Sequence, residues 1–121
     1  MAKWQNDLML DAALNYIKDN VTTMYANTAQ PATRAAAIAD SLADVAVGSV
    51  DVTLANGDTS GRKATVAQKA DVQIDVNGTA THVSLISASD LLYVTTCTSQ
   101  LLNNTGTVTF PAWDVELADA A

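Results

Sequence analysis

The feature that most constrains this chain is a change of hydrophobic period partway along it. Residues 6–19 repeat at the spacing of a helix: Met9, Leu10, Ala12, Ala13, Leu14, Tyr16 and Ile17 fall on one broad arc, and Asp7, Asp11, Asn15 and Lys18 fill the polar stripe left over. From residue 50 onward the period is two, beginning with Val50, Val52 and Leu54 set against Asp51 and Thr53. Period two continues to the end of the chain, broken at short intervals by Gly, Asn, Asp and Ser clusters. Short alternating strands at regular spacing cannot bury their apolar faces as helices, so the expected fold is mainly β. It is an antiparallel β-sandwich or jelly-roll-like domain with an N-terminal α-helix and a possible short second helix.

Local signals fill in this outline. Asn6 is placed to cap the first helix, with Asp7 in its first turn and Lys18 in its last, both favourable to the helix dipole. Val21 to Ala26 reads as a strand, and Pro31 ends it. Residues 32–45 carry Ala35, Ile38, Leu42 and Val45 at helical spacing, although Leu42 to Val47 fits a strand equally well. Arg62 to Gln68, Val72 to Val76, Leu91 to Thr98, Val108 to Phe110 and Trp113 to Leu117 follow as strands. Asn77-Gly78 has the composition of a two-residue hairpin turn, which would set Val76 against Thr79, Ile74 against Thr81 and Val72 against Val83. Pro111 suits an edge or a bulge better than a central position, so the Trp113–Leu117 strand is a candidate edge. The expected organisation is a helical arm over residues 1–20 and a single β-domain over 21–121. An apolar arc as wide as that of residues 6–19 predicts either burial between the domain and a neighbouring subunit, or a helix sunk deep into its own domain.

Charge and composition exclude several functions. Six basic residues face 13 acidic ones, for a formal net charge of −7, and all the acids but Glu116 are Asp. A chain of this charge is repelled by a nucleic-acid backbone and by an anionic bilayer. The single cysteine, Cys97, excludes an internal disulfide and an all-cysteine metal site. No secretory leader and no apolar run of membrane-spanning length is read in the sequence, so synthesis in a cytoplasm is expected. At 121 residues the chain is long enough for a real core without a metal staple, with about two-thirds of the unfolded surface buried on folding. Aromatics make up only 5% of residues, so that core is built from small side chains.

Motifs for chemistry are missing. His82 is the only histidine; the expected hairpin would turn it the same way as Gln73 and Asp75, where it reads as a surface pair. Cys97 lies between Thr96 and Thr98 with no neighbouring base to activate it. Gly57-Asp58-Thr59-Ser60-Gly61-Arg62-Lys63 has neither the spacing nor the following helix of a phosphate-binding loop and reads as a turn. No loop carries the Asp-x-Asp-x-Asp-Gly calcium pattern, though separate loops of a β-sandwich can still assemble such a site. The sequence therefore predicts neither an enzyme nor a cofactor. The side chains suited to a role are contact residues: Trp4 ahead of the helix, Leu8, Met9, Leu10 and Tyr16 on it, and Trp113 and Val115 on the expected edge strand.

Several stretches carry a resemblance. Trp4 to Ile17, Gly57 to Lys63, Thr81-His82-Val83, Leu91 to Thr96 and Pro111-Ala112-Trp113-Asp114-Val115-Glu116 are similar to segments of small virion structural proteins of tailed bacteriophages. The similarity spreads over nearly the whole chain and rests on structural punctuation rather than catalytic signatures. It implies a capsid decoration (cement) protein on the outer surface of the head. Its partners would be the major capsid protein and copies of itself, in a homotrimer or other homo-oligomer, with no nucleic-acid or membrane partner. The alternative is a tail, neck or fibre component; a small hydrolase and a generic intracellular binding module are further competing classes.

Overall fold

The computed structural model describes residues 6–118. Helix α1 (Asp7–Asn20) begins where the capping signal placed it: the Leu8 N–H donates to the Asn6 side-chain oxygen at 2.9 Å. It ends at Val21, whose N–H closes back on the Ile17 carbonyl. Among the described residues nine strands follow: β1 (Thr23–Asn27), β2 (Ser41–Ala46), β3 (Val52–Asn56), β4 (Arg62–Val66), β5 (Lys69–Gln73), β6 (Gly78–Ile86), β7 (Leu91–Leu102), β8 (Thr107–Phe110) and β9 (Trp113–Leu117). A short α2 (Arg34–Ala39), capped by the Thr33 hydroxyl, separates β1 from β2. The helix expected over 32–45 is thus half helix and half strand, since Ser41–Ala46 pairs with β1.

All the ladders are antiparallel, so the mainly β architecture with an N-terminal helix matches the periodicity. One sheet has the order β2-β1-β6-β7, a second β3-β4-β9, and β5 pairs with β8 alone. Strand β9 lies at the edge of its sheet, one of the two placements that Pro111 suits. That proline falls where the chain leaves the β5 ladder and joins β4. The core between the layers is drawn from every part of the chain, including Leu14, Met24, Val66, Leu85, Phe110 and Val115.

The expected Asn77-Gly78 hairpin does not form. Val72 pairs with Val108, while β6 pairs with β1 on one side and β7 on the other. Before the turn, the N–H groups of Asp75 and Val76 both donate to the Leu42 carbonyl, which carries the chain across to β2. Gly78 packs against the Leu42 side chain: a Cβ there would lie 2.9 Å from Leu42 Cδ2 and would push that side chain aside. Asn77 accepts the Asn104 N–H at 2.7 Å and so fastens one loop to another. The dipeptide that signals a tight turn here serves as a crossing point.

Candidate protein-interaction face

Helix α1 is fastened to the β-domain on one side only. Leu10, Leu14 and Ile17 are buried, Leu14 to 1% exposure. The Asp11 carboxylate pairs with Arg62 at 2.8 Å, and Arg62 also reaches the Asn56 side chain. The Lys18 ammonium donates to the Ser49 and Val52 carbonyls at 2.6 Å each, which ties the last helical turn to the start of β3. Residues 7–20 are therefore part of the domain's own structure and do not stand off as a separate arm. The reading of a helix sunk deep in its own domain is excluded too, because its opposite flank is open.

That flank carries Leu8, Met9, Ala12 and Tyr16, at 100° per residue a stripe away from the buried face, with Ala13 at its border beside Ile17. Leu8 is 74% exposed, Met9 68% and Tyr16 54%. Large apolar side chains held rigidly in water form the feature that most often marks a protein contact. The stripe runs into an open groove of about 560 Å³ lined by Ala13, Tyr16 and Ile17 of α1, Leu91, Leu92 and Tyr93 of β7, and Val115 and Leu117 of β9. Trp113 stacks on Tyr93 beside it, with ring centroids 5.9 Å apart at 25°.

The contact residues expected from sequence separate into three groups. Leu8, Met9 and Tyr16 lie together on the open stripe. Leu10 and Val115 are buried in the domain's own core, Val115 forming part of the floor of the groove. Trp113 is half-buried against Tyr93, and Trp4 lies outside the described residues. Sequence reasoning missed the groove itself and its β7 wall. The available signal was the unbroken apolar run Leu91-Leu92-Tyr93-Val94, which makes both faces of that strand apolar where one would suffice for a core.

His82, Cys97 and the acidic side chains have structural roles. His82 lies opposite Asn27 and Thr96, away from the expected Gln73 and Asp75, and its Nδ1 is 2.8 Å from the Thr81 hydroxyl. Burial pushes the Cys97 thiol above its ordinary range, the opposite of activation. Carboxylate oxygens of Asp58, Asp114 and Glu116 come within 4.8 Å of one another. The Lys63 ammonium sits among them, 2.7 Å from Asp58 and 3.6 Å from Asp114, and Glu116 accepts the Asp58 N–H. This cluster fastens the 57–61 turn to β9. A second acidic pair, Asp44 and Asp75, shares a hydrogen bond that, together with partial burial and like charge, raises Asp44 above the usual carboxylate range.

Among the described residues, no helix is long and apolar enough to cross a membrane. Comparison with protein-family models, with curated proteins and with solved structures found no match.

Proposed function

We propose that this chain is a structural protein of a tailed-bacteriophage virion. Its role is that of a decoration (cement) protein, binding the outer surface of the capsid and stabilising the head by contact rather than catalysis. Its partners are the major capsid protein and further copies of itself, and the open stripe of α1 with the adjoining groove is the face it uses. The virion setting rests on the resemblance of the Trp4–Ile17, Leu91–Thr96 and Pro111–Glu116 segments. The observation that carries the docking role is the exposure of Leu8, Met9 and Tyr16 on a helix that Leu14, Arg62 and Lys18 hold rigid. A rigid apolar patch loses little entropy on association. An array of small clamps across neighbouring capsomers multiplies a weak contact into a stable shell. A net charge of −7 keeps the free protein soluble despite the patch.

The test mixes purified protein with capsids that lack it, followed by sedimentation and cryo-EM. Saturable decoration at a fixed number per capsomer is expected, with greater resistance of the shell to heat. Met9→Asp and Tyr16→Asp, both at exposed positions, should abolish it while leaving the thermal melt of the free protein in place. Heads left bare by the unmodified protein would overturn the cement role, and binding to tails instead would assign it to the tail or neck.

A further inference from the structure

Apart from the groove beside α1, two cavities of about 210 and 270 Å³ open where the second half of β7 faces the chain leaving β8. Val83, Cys97, Phe110 and Pro111 wall both of them, so the two form one cleft. We propose that this cleft binds a small, uncharged, apolar ligand that carries one hydrogen-bond acceptor, of the class of an aromatic ketone. The inference goes beyond the virion reading and does not depend on it.

Both walls of the cleft are places where a ladder is interrupted. Thr96 pairs with His82 and Gln100 with Ala80, which leaves Cys97, Thr98 and Ser99 standing against Thr81 alone. A bulge re-aims the side chains within it and is over-represented beside functional sites. Here Cys97 and Thr98 of the bulge line the cleft. On the other wall the chain passes from β8 to β9 through Pro111 and Ala112, which belong to neither strand, and Pro111 has no N–H to offer. A bulged strand and a proline link give each other no continuous ladder, so the space between them stays open.

The walls define the occupant. They are largely apolar, and together the cavities reach the range of about 300–1,000 Å³ found for small-ligand sites. Trp113 walls the larger cavity, and its indole Nε1 is buried with no acceptor among the described residues. The stack on Tyr93 holds that ring in place without pairing its N–H. Buried donors are nearly always paired in folded proteins, and a ligand oxygen supplies the acceptor that this one lacks. Charge narrows the class further. The ionisable side chains on the walls are Cys97 and Asp114. Asp114 already accepts from the Thr65 hydroxyl at 2.7 Å and has Lys63 at 3.6 Å. An anionic ligand finds no cation on the walls and a cationic one finds no free carboxylate, which leaves an uncharged molecule.

The experiment titrates isotope-labelled protein with acetophenone, with ethylbenzene, which has a similar shape without the oxygen, and with benzoate, which adds a negative charge. Acetophenone should bind saturably, move the Trp113 indole proton downfield and slow the alkylation of Cys97, the single cysteine of the chain. Benzoate should bind more weakly by about tenfold or more. Trp113→Phe keeps an aromatic ring and removes the N–H, so it should weaken acetophenone by about fivefold or more relative to ethylbenzene. Cys97→Phe, a change at an exposed position that fills the cleft, should abolish binding, while Cys97→Ala should retain it. Each variant is first matched to the parent by its thermal melt. No saturable binding of acetophenone, an indole proton that does not move, equal losses of both neutral probes in the Trp113 variant, or full binding to the Cys97→Phe protein would overturn the proposal. None of these readouts involves a particle, so failure here leaves the virion role untouched, and bare heads leave the cleft untouched.

Discussion

Truncating Leu14 to Ala tests whether α1 is built into the domain or merely tethered to it. Leu14 is 1% exposed and shares the core with Val66 and Val115. Removing a buried leucine side chain costs its transfer free energy plus the cavity left behind, about 3 kcal/mol. Unfolding entropy near the midpoint is about 2.1 cal/mol/K per residue, so 121 residues give about 0.25 kcal/mol/K. Leu14→Ala should therefore lower the melting temperature by about 12 °C. Leu8→Ala removes the same atoms from a side chain that is 74% exposed, and should change stability by no more than about 0.5 kcal/mol, or about 2 °C. Differential scanning calorimetry on the two variants measures both. A Leu14 variant that melts within about 3 °C of the parent would mean the helix is not part of the cooperative core. A Leu8 variant as damaged as the Leu14 one would mean the open stripe is covered within the free protein.

Other perturbations have equally definite outcomes. The buried Asn27 side chain donates to the Ala37 carbonyl at 2.9 Å and accepts from the Ser84 hydroxyl at 2.6 Å, joining α2, β1 and β6. Asn27→Ala should cost about 2–3 kcal/mol by urea denaturation, and adding Ser84→Ala should cost less than the two single changes together. Gly61 sits at φ +71°, where a Cβ would lie 1.9 Å from the Leu117 carbonyl; Gly61→Ala should cost at least about 2 kcal/mol by opening the end of the β4–β9 ladder. Asp44 is raised in the folded state, so its cost to folding is absent below about pH 4 and complete above the raised value. Asp44→Asn should then stabilise the protein at pH 7 by about 0.2–1 kcal/mol, with the gain vanishing in acid. Asp51 has the opposite sign: the Gly48 N–H and Lys69 lower it, so its contribution holds above the ordinary carboxylate range and fades as pH falls through the depressed value. Asp51→Asn should remove that acid-side loss and lower stability at neutral pH, read from urea midpoints between pH 3 and 7.

Period and capping are local properties, and they were legible in the chain. The 3.6 period and the Asn6 cap produced α1 within a residue of its observed start, and the Pro111 break suited the edge position that β9 takes. Small side chains and turn clusters indicated an antiparallel β fold, because no other arrangement buries short alternating segments. Strand pairing is a property of the whole molecule. Asn77-Gly78 has the chemistry of a hairpin turn, yet the Leu42 carbonyl captures the two preceding N–H groups and the Leu42 side chain takes the space beside Gly78. A contact between residues more than thirty positions apart outweighed a local preference of a few tenths to one kcal/mol. The same limit governed the candidate face. The width of the apolar arc on residues 6–19 left open whether the helix is sunk in its own domain or also meets a neighbouring subunit. Only the docking of Leu10, Leu14 and Ile17 onto the sheets decided which side stays open, and only the order of strands in two separate sheets set Leu91–Tyr93 opposite Val115 and Leu117 across one groove. Sequence determined which residues are apolar and at what spacing; tertiary structure decided which of them meet each other and which are left facing water.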